Sequence, residues 1–279
     1  MNSRAILAVL PGLLMWSASV AWGGECSKHP DAIGTSRTVP VNPTDFPFVG
    51  KLQYKETLRL KSREVVITFG DGPVFPYTGK ILDALAAECA KATFFVLRGK
   101  VEAEPELLRR LAKEGHSIGI SAFEDAAPDN LSPEGAEAEV ALTIKAAADA
   151  LGPGEDLAPF FRASSLKLTP RLEKHLVSRN LMVWSADVDS QDWNDASEEQ
   201  LIQETMEQLR KAGRGIVLLH DSEPVTARAL PRLLKELKRQ EFQIVHVVAA
   251  DSEPVATSTV GSVQANKTSS GRSSKLRAR

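Results

Sequence analysis

The feature that most constrains this chain is an alternation. Short apolar runs at Val65–Phe69, Thr93–Leu97, Ser117–Ile120, Leu181–Ser185, Ile216–Leu219 and Gln243–Val248 alternate with segments of helical spacing at Gly79–Lys91, Pro105–Glu114, Pro133–Leu151, Thr169–Arg179, Ser197–Ala212 and Ala227–Gln240. Runs that are apolar throughout, rather than at every second residue, read as strands buried on both faces. Strands of that kind joined by amphipathic helices predict a parallel sheet covered by those helices. About six or seven such units fit one barrel better than two domains, and in a barrel the chemistry gathers on the loops after the strands' C-terminal ends.

The rest of the chain reads differently. Met1–Gly24 has Arg4 as its one charged side chain, an apolar run from Ala5 to Trp16, and small residues at Ser19 and Ala21. That is the pattern of an export signal; the run is broken by Pro11 and Gly12 and is shorter than the roughly 20 residues a membrane span needs. The expected organisation is a signal peptide over 1–24, an irregular N-terminal arm over 25–60, the barrel over 61–250 and a polar, disordered tail over 251–279. Such a chain is periplasmic or secreted, with no membrane span left once the signal is removed. In an exported chain Cys26 and Cys89 suit a disulfide that ties the mature N-terminus to the domain; one buried and one free thiol is the alternative. Lys+Arg 34 against Asp+Glu 36 leaves the chain nearly neutral, which argues against a nucleic-acid partner.

Reading only the strand ends gives a short inventory. It comprises Gly70-Asp71-Gly72-Pro73, Ile120 to Asp125 (I-S-A-F-E-D), Phe160–Arg162 (F-F-R), Trp184–Trp193 (W-S-A-D-V-D-S-Q-D-W) and Leu218–Asp221 (L-L-H-D). These place Asp71, Ser121, Asp125, Arg162, Asp187, Asp192 and His220 on one rim. Arg162 and Asp192 are expected as a buried ion pair, and Trp184 and Trp193 as either a sugar-stacking wall or core. His116, which lies before its strand, is expected to be structural.

In this order the motifs resemble the polysaccharide deacetylases of carbohydrate esterase family four, over about Glu64 to Val248. The resemblance implies a distorted (β/α)7 barrel and a family reaction, the metal-dependent hydrolysis of N-acetyl groups on amino-sugar polymers such as chitin oligosaccharide or peptidoglycan. It implies a place in the cell envelope and an amino-sugar polysaccharide or oligosaccharide as partner. In the family, T-F-D-D-G-P supplies a general base and a metal ligand, and H-x-x-x-H supplies two more ligands for zinc or another divalent ion. Carried over, the ligand aspartate is Asp71, the base falls on Gly70, and the histidines fall on Ser121 and Asp125. The Pro-Tyr after the family's Arg becomes Ser164-Ser165. His220 matches the family's general acid, and Arg162 and Asp192 match the network that supports the base.

A hydrolytic zinc site wants three strong protein ligands and an open position for water. Asp71, with a possible Asp125 and a neutral Ser121 hydroxyl, falls short of that, so no cofactor is expected. The expectation is a family member with lost or strongly reduced activity that keeps a glycan-binding cleft. Two alternatives stand beside it. One is an active deacetylase rebuilt on oxygen ligands from Asp71, Glu124 and Asp125, which suit Mg²⁺ or Ca²⁺; the other is a protein-interaction scaffold in the cell envelope.

Overall fold

The structure is a computed structural model and describes Cys26 and residues 29–123, 131–155, 157–194 and 197–250. The expected signal peptide and C-terminal tail lie outside these residues. In chain order the elements are β1 (Thr35–Val41), β2 (Phe48–Val49), β3 (Glu64–Gly72), α1 (Tyr77–Ala87), β4 (Thr93–Val96), α2 (Arg98–Ala103), α3 (Pro105–Lys113), β5 (Ser117–Ala122), α4 (Pro133–Leu151), β6 (Phe160–Ala163), α5 (Pro170–Ser178), β7 (Met182–Trp184), β8 (Val188–Asp189), α6 (Glu198–Ala212), β9 (Gly215–His220), α7 (Pro224–Arg239) and β10 (Gln243–Ala249).

Every strand pairing among them is parallel. Around the barrel the strands follow β8-β9-β3-β4-β5-β6-β7-β2, with β10 and β1 added beside the start of β3. Strands β7 and β8 are two pieces of one extended segment. The first piece pairs with β6 and β2, and the second crosses to β9, where the Asp187 amide donates to Ile216 O. One polypeptide segment, rather than a continuous ladder, thus brings the sheet round, which is the distortion in the barrel.

Side-chain alternation fixes what the barrel holds. Val65, Ile67 and Phe69 of β3 point outward and pack with Ile81, Leu82 and Leu85 of α1 and Leu230, Leu233, Leu234 and Leu237 of α7. Val66 points inward with Phe95, Phe160, Met182, Trp184, Ile216 and Leu218, which fill the barrel's interior. The helices begin where the sequence supplies caps. Ser132, Thr169 and Ser197 each accept a backbone N–H of the first turn, Pro follows the first two, and Gly213 ends α6 in the left-handed region.

The arm differs from expectation. Residues 35–41 and 48–49 are not irregular: β1 pairs with β10 and β2 with β7. A Cys26–Cys89 disulfide and a bidentate Arg37–Glu64 pair, at 2.7 Å on both branches, tie this segment to the barrel. Burial of Glu64 makes that pair costly to break from one side only.

Candidate active-site cleft

Asp71 owes its position to a bulge. Gly70 lies opposite Phe95 of β4 and Gly72 opposite Val96, so Asp71 is the extra residue between them and has φ +67. A bulge re-aims the side chain it carries. Asp71 is accordingly 26% exposed in its side chain, at the end of a strand that is otherwise buried.

Next to β3, His220 ends β9 with its ring inside the barrel mouth. Its Nδ1 lies 2.7 Å from Asp192 Oδ1, its backbone amide donates to Asp192 Oδ2 at 2.7 Å, and Thr226 Oγ1 donates to the same oxygen at 2.5 Å. Burial disfavours charge on both partners, but their mutual bonds outweigh it. They hold the Asp192 carboxyl below its ordinary range and raise the His220 imidazole above its own. The free Nε2 of His220 faces Asp71 Oδ2 at 3.9 Å. His220 thus presents its Nε2 to the cleft beside Asp71 while Asp192 holds its other ring nitrogen.

One member of the constellation was missed by sequence reasoning. Asp221, fully buried behind His220, accepts from Thr78 Oγ1 at 2.6 Å, and burial pushes its carboxyl up to about 7. A Cβ on Gly72 would lie 1.9 Å from Asp221 Oδ2, so glycine there is a steric requirement. The signal in the sequence was the acidic residue directly after His220, at a strand end facing the Gly-Asp-Gly turn.

Arg162 is buried and points inward from β6. Its guanidinium donates to Thr68 Oγ1 at 2.9 Å and Phe69 O at 3.4 Å and lies 4.0 Å from the Phe95 ring centroid. Burial brings it down to about 9, opposed by the charges of Asp71, Asp192 and Asp221. No described carboxylate lies within ion-pair distance of Arg162, so the expected pair with Asp192 is corrected. Asp192 is taken by His220, and Arg162 acts on the carboxylates through the field it adds to the mouth.

The β5 and β6 side of the mouth has another character. Ser121 is buried, and its hydroxyl lies 3.1 Å from the Ser164 hydroxyl, so the two satisfy each other. Asp125 and Glu124 lie outside the described residues. Among the described residues no three His, Cys, Asp or Glu side chains gather into a group able to hold a metal ion. Asp71 and His220 Nε2 supply two donors, and Ser121 supplies a neutral hydroxyl already bonded. This set does not fit a three-ligand zinc ion.

Two further expectations are corrected. Asp187 is not on the rim. Its carboxylate accepts from Ile216 N, Lys51 N and Thr57 Oγ1 near the start of β9, about 13 Å of strand from His220, and it clamps the N-terminal segment there. Trp184 is not a sugar-stacking wall. It is 1% exposed and packs inside the barrel, with centroids 5.0 Å from Phe160 and 5.5 Å from Phe95. Trp193, in contrast, is 60% exposed on the loop after β8. His116 is buried, as expected of a structural residue, and its Nδ1 accepts from Ala92 N.

The strand ends of the parallel barrel thus bring a buried carboxylate–imidazole pair to face a partly exposed carboxylate. The sequence profile of the family described as polysaccharide deacetylase matches residues 58–181. A peptidoglycan-N-acetylglucosamine deacetylase of Bacillus cereus is 30% identical over 199 residues, 67% of this chain and 71% of the relative. The peptidoglycan-N-acetylmuramic acid deacetylase PdaC of Bacillus subtilis is 30% identical over 198 residues, 70% of this chain and 40% of the relative. Among solved structures, the peptidoglycan deacetylase Bd3279 of Bdellovibrio bacteriovorus aligns with TM-score 0.71 and 31% identity over 80% of this chain and 61% of its own. BA3943 of Bacillus anthracis, described as a CE4 family pseudoenzyme, shares the fold at TM-score 0.58 and 19% identity over 66% of this chain and 64% of its own. The chain belongs to the polysaccharide deacetylase family.

Proposed function

We propose that this chain is an exported family member that binds amino-sugar polymer of the cell envelope in the cleft around Asp71 and His220, without metal-dependent deacetylation. One observation carries the reading. The residue beside Asp71, where the family's base falls, is Gly70, and the ligand position on β5 is the hydroxyl-bonded Ser121. The steps those residues serve are independent: a positioned base contributes about 10²–10⁴ in rate, and the ion supplies both the activated water and the polarised carbonyl. His220, Asp192 and Arg162 keep their arrangement, which supports a cleft still shaped for a sugar. The peptidoglycan and chitin deacetylases among its relatives support an amino-sugar polymer as the ligand. Export is supported by the N-terminal apolar run and by the Cys26–Cys89 disulfide.

The test is metal content and turnover on the purified mature protein. The expected result is substoichiometric zinc after dialysis and no acetate released from N-acetylated chitooligosaccharides or peptidoglycan fragments. Metal-dependent acetate release abolished by Asp71→Ala would favour a rebuilt oxygen-ligand site instead.

A further inference from the structure

We infer that the cleft recognises the deacetylated form of the polymer, a sugar bearing a free ammonium, in preference to the acetylated form. The inference rests on the reading of this cleft as glycan-binding without turnover and specifies its ligand.

The other ionisable groups at the mouth already have hydrogen-bond partners. Asp192 is bonded to His220 and Thr226, Asp221 to Thr78, and Arg162 to Thr68 and Phe69 O. Asp71 differs. The bulge turns its carboxylate outward; His220 Nε2 stands at 3.9 Å, beyond hydrogen-bond distance, and the buried Arg162 acts on it only through its field.

Space lies beside it. A Cβ on Gly70 would meet only His220 Cδ2 at 3.6 Å and Leu219 O at 4.0 Å beyond its chain neighbours, so there is room for a methyl group at the position beside Asp71. The described donor set does not fit a zinc ion, so in this reading Asp71 meets the bound sugar directly. A carboxylate facing such a space gains a charge-assisted hydrogen bond from an ammonium, and much less from a neutral acetamide.

A second observation points to a sugar ring. Among the described residues the exposed aromatic rings are Phe75, 70% exposed, and Trp193, 60% exposed. Phe75 lies four residues after Asp71, and Trp193 follows Asp192, so both stand on loops leaving the strand ends that frame His220. Aromatic faces stack on the apolar faces of pyranose rings and also attract a neighbouring cation. A carboxylate at the same strand ends as two such rings suits a glucosamine unit within a longer chain.

The test measures binding of the mature protein, in chelator and at low salt, to a glucosamine tetramer and to its fully N-acetylated counterpart by calorimetry. The expected result is binding of the free-amine tetramer at least about tenfold tighter, a preference that collapses in Asp71→Asn. Asparagine tolerates the left-handed backbone at this position, so the variant keeps its fold, which an unchanged Tm verifies. Phe75→Ala and Trp193→Ala are expected to weaken both tetramers together. Equal binding of the two tetramers, or a preference that survives Asp71→Asn, overturns the inference while leaving a glycan cleft in place. Binding of neither overturns the inference together with the reading beneath it.

Discussion

The two sides of the cleft differ in how their polar groups are satisfied. On the β3, β8 and β9 side, each buried charge is held by backbone and side-chain partners that belong to the fold. Asp192 fixes both the ring and the amide of His220, and Asp221 fixes Thr78 at the start of α1. On the β5 and β6 side, the Ser121 and Ser164 hydroxyls share one bond and, among the described residues, have no further side-chain partner. The contrast explains which residues persist. A group wired into the barrel is kept by stability alone, whereas a metal ligand is kept only by the reaction it serves. His220 and Asp192 are therefore weak testimony to turnover, and on the proposed reading positions 70 and 121 bear on it directly.

That contrast can be broken by mutation. Asp192→Ala leaves a buried imidazole and an amide without their acceptor and is expected to cost about 3–5 kcal/mol in urea unfolding. A loss below about 1 kcal/mol would show that the well-connected side is no more constrained than its neighbour.

The opposite pole of the barrel offers a reference with its own pH signature. Burial, then the positive charges of His116 and Lys91, push His246 down to about 4. Its ring is neutral when folded, with Nε2 2.9 Å from Ser117 Oγ. The unfolded chain binds the proton first, so stability falls as pH drops from about 6.5 towards about 4. The contribution of His246 to that fall is on the order of 3 kcal/mol, and His246→Gln should flatten it. A pH profile of unfolding unchanged by the substitution would remove the assignment.

The smallest effect belongs to the β5 side. Ser121→Ala breaks one neutral hydrogen bond and leaves Ser164, which is only half-buried, free to rebond to water, so about 1 kcal/mol is expected. A cost matching that of Asp192→Ala would show that Ser121 is a keystone.

Much of this was legible in the sequence because burial on both faces writes itself as continuous apolar runs. β3, β4, β5, β7, β9 and β10 and the helices α1 and α3–α7 all follow from it. Three kinds of feature were not legible. β1 reads T-S-R-T-V-P-V, polar on its outer residues with a proline inside, because it is an edge strand with a solvated side. β6 is four residues long and carries a buried arginine, so no periodicity marks it. Directions were the third: strand alternation sends Trp184 into the barrel, and the turn between β7 and β8 carries Asp187 to the far end of β9. Neither follows from residue type. Asp71, His220 and Asp192 were placed together by motif order, and the bulge that turns Asp71 outward became visible only in the register.

The most direct measurement is acetate release from N-acetylated chitooligosaccharide in added Zn²⁺, for the natural sequence and for the triple variant Gly70→Asp, Ser121→His, Asp125→His. A Cβ at position 70 makes only ordinary van der Waals contacts, and the position lies outside the left-handed region. Activity in the triple variant at least about 10²-fold above the detection limit, with none detected for the natural sequence, is the expected result. Equal zinc-dependent activity in both would contradict it.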